Sequence, residues 1–344
     1  MSVLLDPARF RGEVGGQRTA LFQLRHPQGM VVSVTNLGAK VLQILVPDRQ
    51  SRLTDVALGY DSLDAVLRGA PSVGAFIGRY AGRISNARFP WDGNMHSLPA
   101  NAGAHCIHGG PGGSRHQVFE ASQADPCTLD LWHRFDPEVD GFPGTLELHL
   151  RYQLTDHHTL RIEHEAVATQ GTSPASFTSH VFFNLEGPGT SLIDGHTLAV
   201  HAHALLPCDG ERIATGLQQA LQGLPYDLRV PRRLDTVPEI DEAFVIEPRT
   251  DELRHAARLS APASARTLDV WTTEPVLQVY TAGLLGVGER PDMGKQGVRH
   301  RPRAAICLEP QRYPNAPNRP SLPLLRVSPQ EPYFAETRYV FSAA

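Results

Sequence analysis

Lysine is nearly missing from this 344-residue chain: Lys40 and Lys295 are the only two, and all other basic side chains apart from histidine are arginine. We read this as compositional bias rather than chemistry. Cysteine is also scarce. Cys106, Cys127, Cys208 and Cys307 are scattered without CxxC spacing, so a reduced, cytoplasmic chain with free thiols is expected. Neither sign of charge dominates. With 32 Lys+Arg against 36 Asp+Glu the net charge is −4, which offers no basic field to nucleic acid. No apolar run approaches the length of a membrane-spanning helix. The start, Met-Ser-Val-Leu-Leu-Asp-Pro, has no basic stretch followed by a long apolar one, so no secretory signal is expected. Turn formers, in contrast, are plentiful. The 30 glycines and 28 prolines leave little room for long helices.

Strand periodicity fills the space between turns. Leu146, Leu148, Leu150, Tyr152 and Leu154 alternate with Glu147, His149, Arg151 and Gln153, the period-2 signature of a strand with one wet face. Thr155-Asp156-His157-His158 reads as a turn. Leu160 and Ile162 then alternate with Arg161 and Glu163, which predicts a long antiparallel hairpin. Leu198, Val200, Ala202 and Ala204 alternate similarly, and 31–34, 41–46, 129–132 and 276–280 add short β runs. Helix is expected only at 62–68 and, for two or three turns, at 211–221. Many strands without βαβ alternation predict an all-β fold, a large antiparallel β-sandwich, with residues 1–344 as one domain. The segment 283–303, rich in Gly, Pro and charge, reads as a surface loop between strands.

Several chemistries fail on spacing. Gly288 to Lys295 resembles a phosphate loop, but Gln296 stands where Ser or Thr is needed and no parallel strand leads into a helix. His108-Gly109-Gly110-Pro111-Gly112-Gly113 resembles an esterase oxyanion segment, yet the chain has no GxSxG elbow. Metal binding is harder to set aside in a chain of 16 histidines. His105, Cys106 and His108 are close in sequence, and His201 and His203 share a strand face, but no spacing matches a known ligand set, so no metal is expected.

Four segments combine polar groups with glycine-rich or buried-looking backbone. They are Gly78-Arg79-Tyr80-Ala81-Gly82-Arg83, Asn101 to Gly110 around His108, Ser179-His180-Val181-Phe182-Phe183-Asn184, and Cys307-Leu308-Glu309-Pro310-Gln311. Burial at the end of an apolar strand would raise the pKa of Glu309, and aromatic surroundings disfavour charged His180. Together the two suit a general base and acid poised near neutrality. On spacing alone, Glu309 equally suits pairing with an arginine, and His180 a bond to a backbone carbonyl. Arg79 and Arg83 suit carboxylate partners.

In this order, the segments resemble the aldose 1-epimerase (galactose mutarotase) family. The resemblance runs from Asn36-Leu37-Gly38-Ala39 to Tyr339-Val340-Phe341. It includes Gly78-Arg79, Arg83-Ile84, Ile107-His108-Gly109-Gly110, His180-x-x-Phe-Asn-x, Leu224-Pro225-Tyr226-Asp227-Leu228-Arg229 and Gln278-x-Tyr280. Its most specific segment is Glu309-x-Gln311-x-x-Pro314-x-x-Pro317-Asn318. The resemblance implies a β-sandwich with a sugar in a cleft on one sheet face. The implied reaction interconverts α and β anomers of a free aldose without cofactor or metal. It assigns Glu309 as base and His180 as acid, with Arg83, His108, Asp241, Gln278 and Phe182 holding the sugar. Departures from the family pattern at Gly82, Ser179, His105 and Thr281-Ala282-Gly283 are expected near the cleft. They leave open whether galactose, glucose, a pentose such as arabinose or another hexose is preferred. A non-catalytic sugar-binding module and a sugar-phosphate 1-epimerase are the alternatives, the latter resting on Arg299, Arg301 and Arg303 in the loop before Glu309. A small sugar is the expected partner, of a monomer or homodimer without nucleic acid or membrane.

Overall fold

The computed structural model describes residues 3–48, 50–189, 191–246, 252–288 and 290–343. The predicted hairpin is its backbone feature of greatest length. Thr145–Thr155 pairs antiparallel with Thr159–Gln170, in the register Thr155↔Thr159 that the polar turn requires. Along the first strand Leu146, Leu148, Leu150, Tyr152 and Leu154 are buried, and Glu147, His149 and Arg151 face away. Seven more strands extend this hairpin into a nine-stranded antiparallel sheet that includes Thr128–Phe135, Tyr333–Ala343, Arg266–Thr272 and Arg254–Ala261.

A six-stranded antiparallel sheet lies across its inner face, in the order Phe182–Phe183, Ile306–Gln311, Val276–Tyr280, Asp241–Val245, Ala204–Leu206, Gln219–Ala220. Leu277, Val279, Ile306, Leu308 and Phe244 from this sheet join Leu148, Leu150 and Tyr152 from the larger one in a single core. A four-stranded sheet, Leu21–Arg25, Val31–Thr35, Lys40–Pro47 and Leu53–Asp55, adds Val32, Val34, Val41 and Ile44 to it. The sandwich is therefore the expected one. Because side chains alternate along a strand, sending Leu277, Val279, Ile306 and Leu308 inward turns Gln278, Tyr280, Cys307, Glu309 and Gln311 to the opposite face.

One predicted helix forms and one does not. Leu63–Arg68 is helical, with the Ser62 hydroxyl accepting from the Ala65 amide as N-cap. The stretch 211–221 is instead a set of turns ending in the strand Gln219–Ala220. Asp209 Oδ1 accepts from the amides of Glu211 and Ile213, and Gly216 adopts φ +86°, outside any helix. The run from Leu198 to Ala204 also divides. Thr197–Val200 belongs to the nine-stranded sheet and Ala204–Leu206 to the six-stranded one, so the chain changes sheets through 201–203. His201 and His203 consequently part. One ring lies against His255, 4.6 Å between centroids, and the other bonds the Ile246 carbonyl at 3.1 Å.

The two lysines are both buried. In the loop 283–303, whose residue 289 lies outside the described residues, Lys295 anchors inward: its Nζ donates to Leu42 O (2.6 Å) and Ala57 O (2.8 Å) and pairs with Asp55. That loop is thus not purely superficial. An ammonium needs partners when buried, and a compact one fits where a planar guanidinium does not. Arg79 is buried as well, bidentate to Asp140 (2.8 and 3.0 Å) between the rings of Phe135 and Phe142. It is the carboxylate partner that spacing alone suggested. Among the described residues no helix is long and apolar enough to cross a membrane.

Candidate active site

The outward face of the six-stranded sheet is the floor of a cleft. Cross-strand register sets the side chains in two rows. Phe182, Cys307, Tyr280 and Asp241 lie opposite one another in sequence across four strands, and Glu309 lies opposite Gln278 in the next row. His180 enters one residue pair before the Phe182 strand. Its amide donates to Ala75 O (2.8 Å), and its carbonyl accepts from Gly74 N–H (3.0 Å). The imidazole stacks on Phe182 at 5.0 Å and meets the edge of His108 at 5.4 Å.

Arg83 and His108 close the cleft from the side. Arg83 lies on a two-residue strand paired to Cys106–Ile107, and His108 follows directly. His108 (φ +56°), Gly109 (φ +77°) and Gly110 (φ +73°) form a left-handed run that swings the imidazole back over the sheet. At Gly109 the constraint is also steric, since a Cβ would lie 2.2 Å from the Gly78 carbonyl oxygen. Arg83, His108, His180, Phe182, Asp241, Gln278 and Glu309 all line this one cleft.

The acid–base candidates face each other. His180 Nε2 is 3.7 Å from Glu309 Oε1, and both side chains are almost wholly buried. Glu309 finds no arginine partner, and His180 Nδ1 has no hydrogen-bond partner among the described residues. Burial pushes the Glu309 carboxyl well above its ordinary range, with the Asp241 charge adding to the shift. Burial also lowers His180 to about 3, and the charges of Arg115 and Lys40 press the same way. His108 is held well below the ordinary value by burial, then by His180, Arg115 and Arg83. His180 is therefore not poised near neutrality, as partial desolvation would leave it. Complete burial moves the acid up and the base down, so both groups of the pair favour their neutral forms.

Asp241 is fixed by two donors: Gln278 Nε2 to Oδ1 and Arg212 Nη1 to Oδ2, each 2.9 Å. Arg212, Arg115 and Tyr280 line the cleft too and were not singled out in the sequence. Tyr280 had a signal, standing two residues after Gln278 on the same face. Arg212 arrives from the turns that replace the expected helix, and Arg115 is oriented through Ser72 (2.9 Å); neither has a local pattern. Of the four departures expected near the cleft, only Gly82 lines it. Thr281 Oγ1 accepts from the Ile240 amide, His105 Nδ1 accepts from the Asn86 amide, and Ser179 pairs with Phe76 in a buried two-stranded ladder. Arg299, Arg301 and Arg303 stay outside the cleft, and Arg303 bonds Asp194 Oδ1.

Fold and site together define a class: an antiparallel β-sandwich with a buried His–Glu pair on the floor of an open cleft. Known proteins narrow the class. The aldose 1-epimerase family matches residues 20–340. Galactose mutarotase from Bos taurus is 34% identical over 341 residues, covering 96% of each chain. Aldose 1-epimerase from Escherichia coli (strain K12) is 31% identical over 346 residues, covering 95% of this chain and 96% of the relative. Among solved structures, an aldose epimerase homologue from C. elegans superposes with TM-score 0.88 at 26% identity, over 95% of this chain and 99% of the other. The chain belongs to the aldose 1-epimerase family, a family of isomerases.

Proposed function

We propose that this protein interconverts the α and β anomers of a free aldose, with Glu309 and His180 as the paired proton carriers. The observation that carries the reading is their 3.7 Å approach on the floor of an open cleft, with no other partner for the facing atoms among the described residues. Ring opening removes the proton of the anomeric O1 hydroxyl and adds one to the ring oxygen as the C1–O5 bond breaks. In the forward direction the Glu309 carboxylate accepts from O1 and protonated His180 donates to the ring oxygen, giving the open-chain aldehyde. Rotation about C1–C2 and reclosure with the transfers reversed yield the other anomer. Both transfers involve oxygens on one carbon, so two carriers within a few ångströms can serve both.

The charge preference of the site sets which half of this cycle is uphill. A carboxylate with imidazolium and a carboxylic acid with neutral imidazole contain the same number of protons. The first starts ring opening and the second accompanies the aldehyde. Burial favours the neutral arrangement, so forming the ion pair beside the closed ring is the costly step, and the proton transfers of ring opening return the pair to its favoured neutral form. Arg83, His108, Gln278 and Asp241 supply donors and acceptors for sugar hydroxyls, and the Phe182 ring offers an apolar face. Such fixed partners restrict the bound sugar to productive poses. Galactose is the first sugar to try, because the relatives named galactose mutarotase match along nearly their whole length. We further read residues 1–344 as one domain, since all three larger sheets contribute to a common core.

Glu309→Gln and His180→Ala test the assignment. Each is expected to lower the enzymatic rate of anomer exchange by about a hundredfold or more, the usual worth of a positioned acid or base, with the fold retained by circular dichroism. Normal exchange by both folded variants contradicts it.

A further inference from the structure

Just beneath the floor of the cleft lies a third reactive side chain that proton transfer does not use. Cys307 precedes Glu309 by two residues on the strand Ile306–Gln311, so both point to the same face. Its cross-strand partner is Phe182, on which His180 stacks. Ligating atoms of His180, Cys307 and Glu309 all lie within 4.8 Å of one another, and all three residues are buried. No described residue hydrogen-bonds the Cys307 sulfur, and the Glu309 oxygen facing His180 has only that ring, at 3.7 Å.

Sulfur, imidazole nitrogen and carboxylate oxygen are the donor set of zinc, which leaves oxygen-only cations such as magnesium poorly served. Tetrahedral zinc with bonds of about 2.0–2.3 Å separates its donors by roughly 3.3–3.8 Å, so the triangle needs side-chain adjustments of about an ångström to close. Two of the ligands are anionic when bound and would cancel the charge of a divalent ion. His180 and Glu309 line the cleft, so water or a sugar oxygen can reach a fourth position from that side.

We propose that His180, Cys307 and Glu309 form a site for a soft divalent cation, zinc in particular, and that its occupation silences the cleft. Bonds form from the metal to the Cys307 thiolate, the His180 nitrogen and a Glu309 oxygen. The thiol proton, and any proton on Glu309, passes to solvent, and nothing is oxidised or reduced. The ion takes the lone pairs that proton transfer requires, so it competes with sugar. Only this kinetic consequence rests on the proposed anomer exchange; metal binding itself does not.

Two titrations test it on the full chain, comparing wild type with Cys307→Ser and with Cys208→Ser, the latter a cysteine that lines the cleft. With cobalt(II) as the spectroscopic probe, wild type and C208S are expected to show the near-ultraviolet thiolate-to-cobalt band, and C307S to lack it. With zinc in the polarimetric assay, inhibition is expected to be competitive with galactose. C307S should need about tenfold or more zinc for the same inhibition, because it has lost one of three protein ligands, and its uninhibited rate should stay within about twofold. Should C307S not fold, loss of the cobalt band in His180→Ala replaces that arm. An unchanged cobalt band in C307S, zinc sensitivity equal to wild type, or no zinc inhibition of the wild type overturns the proposal. A cobalt band confined to wild type and C208S in a protein without exchange activity would keep the metal site and remove the anomer reading instead.

Discussion

His180 Nε2 stands 3.7 Å from Glu309 Oε1, beyond hydrogen-bond reach yet without room for another side chain between them. Sequence separates the two by most of the chain's second half. The fold joins them because the Phe182–Phe183 strand pairs with Ile306–Gln311, so the short link carrying His180 lies beside the strand carrying Glu309. Each is too buried to hold a lone charge cheaply, so under the proposed exchange the two act as one unit with one mobile proton.

That unit predicts the shape of the pH–rate profile. His180 is lowered to about 3 and Glu309 is raised well above its ordinary range, both chiefly by burial. A second proton therefore loads the pair only in acid, and its single proton leaves well above the range of an ordinary carboxyl. The profile of kcat/KM for anomer exchange is expected to show a broad plateau through neutrality with falling limbs on both sides. A narrow bell centred near pH 6–7 would indicate two weakly perturbed, independent groups instead.

The Arg79–Asp140 pair predicts a stability effect remote from the chemistry. Arg79 is fully buried, and Asp140 provides its two charge-assisted bonds. Asp140→Ala leaves a buried guanidinium without its counter-charge, an arrangement that costs about 3–5 kcal/mol. Denaturant unfolding should show a lower midpoint with little change in slope. A midpoint equal to wild type would mean the pair is dispensable.

Acid sensitivity has an identifiable contributor in His164. Its ring packs among Phe76, Phe177 and Tyr333, its Nε2 has no partner among the described residues, and burial lowers its pKa from 6.5 to about 3. Unfolded His164 takes up a proton below pH 6.5, whereas folded His164 does so only near 3. Its contribution to stability is thus fully present above pH 6.5 and is lost as pH falls towards 3. His164→Phe should flatten the decline of the unfolding free energy across that window. An unchanged slope would place acid sensitivity elsewhere, in the buried carboxylate pairs.

Much of the architecture was legible because period-2 alternation maps directly onto burial. The hairpin from Thr145 to Gln170 follows its pattern from end to end. Where the reading failed, the cause was tertiary. Leu198 to Ala204 keeps one alternation while the chain crosses between two sheets, and a hydrophobic pattern does not record which sheet each half joins. The helix expected at 211–221 yields to Asp209 and Gly216, whose turn chemistry outweighs a weak pattern. All seven sequence-selected cleft residues meet on one surface, since motif resemblance carries long-range proximity that spacing does not. Arg212 and Arg115 escaped because each reaches the cleft through a partner distant in sequence, Asp241 for one and Ser72 for the other.

The most direct measurement is polarimetry of freshly dissolved α-D-galactose with and without the purified protein, with glucose and L-arabinose in parallel. Anomer exchange by Glu309 and His180 predicts faster relaxation to the same final rotation, with the ranking of rates identifying the preferred sugar. Relaxation no faster than the spontaneous rate with every free sugar would contradict it.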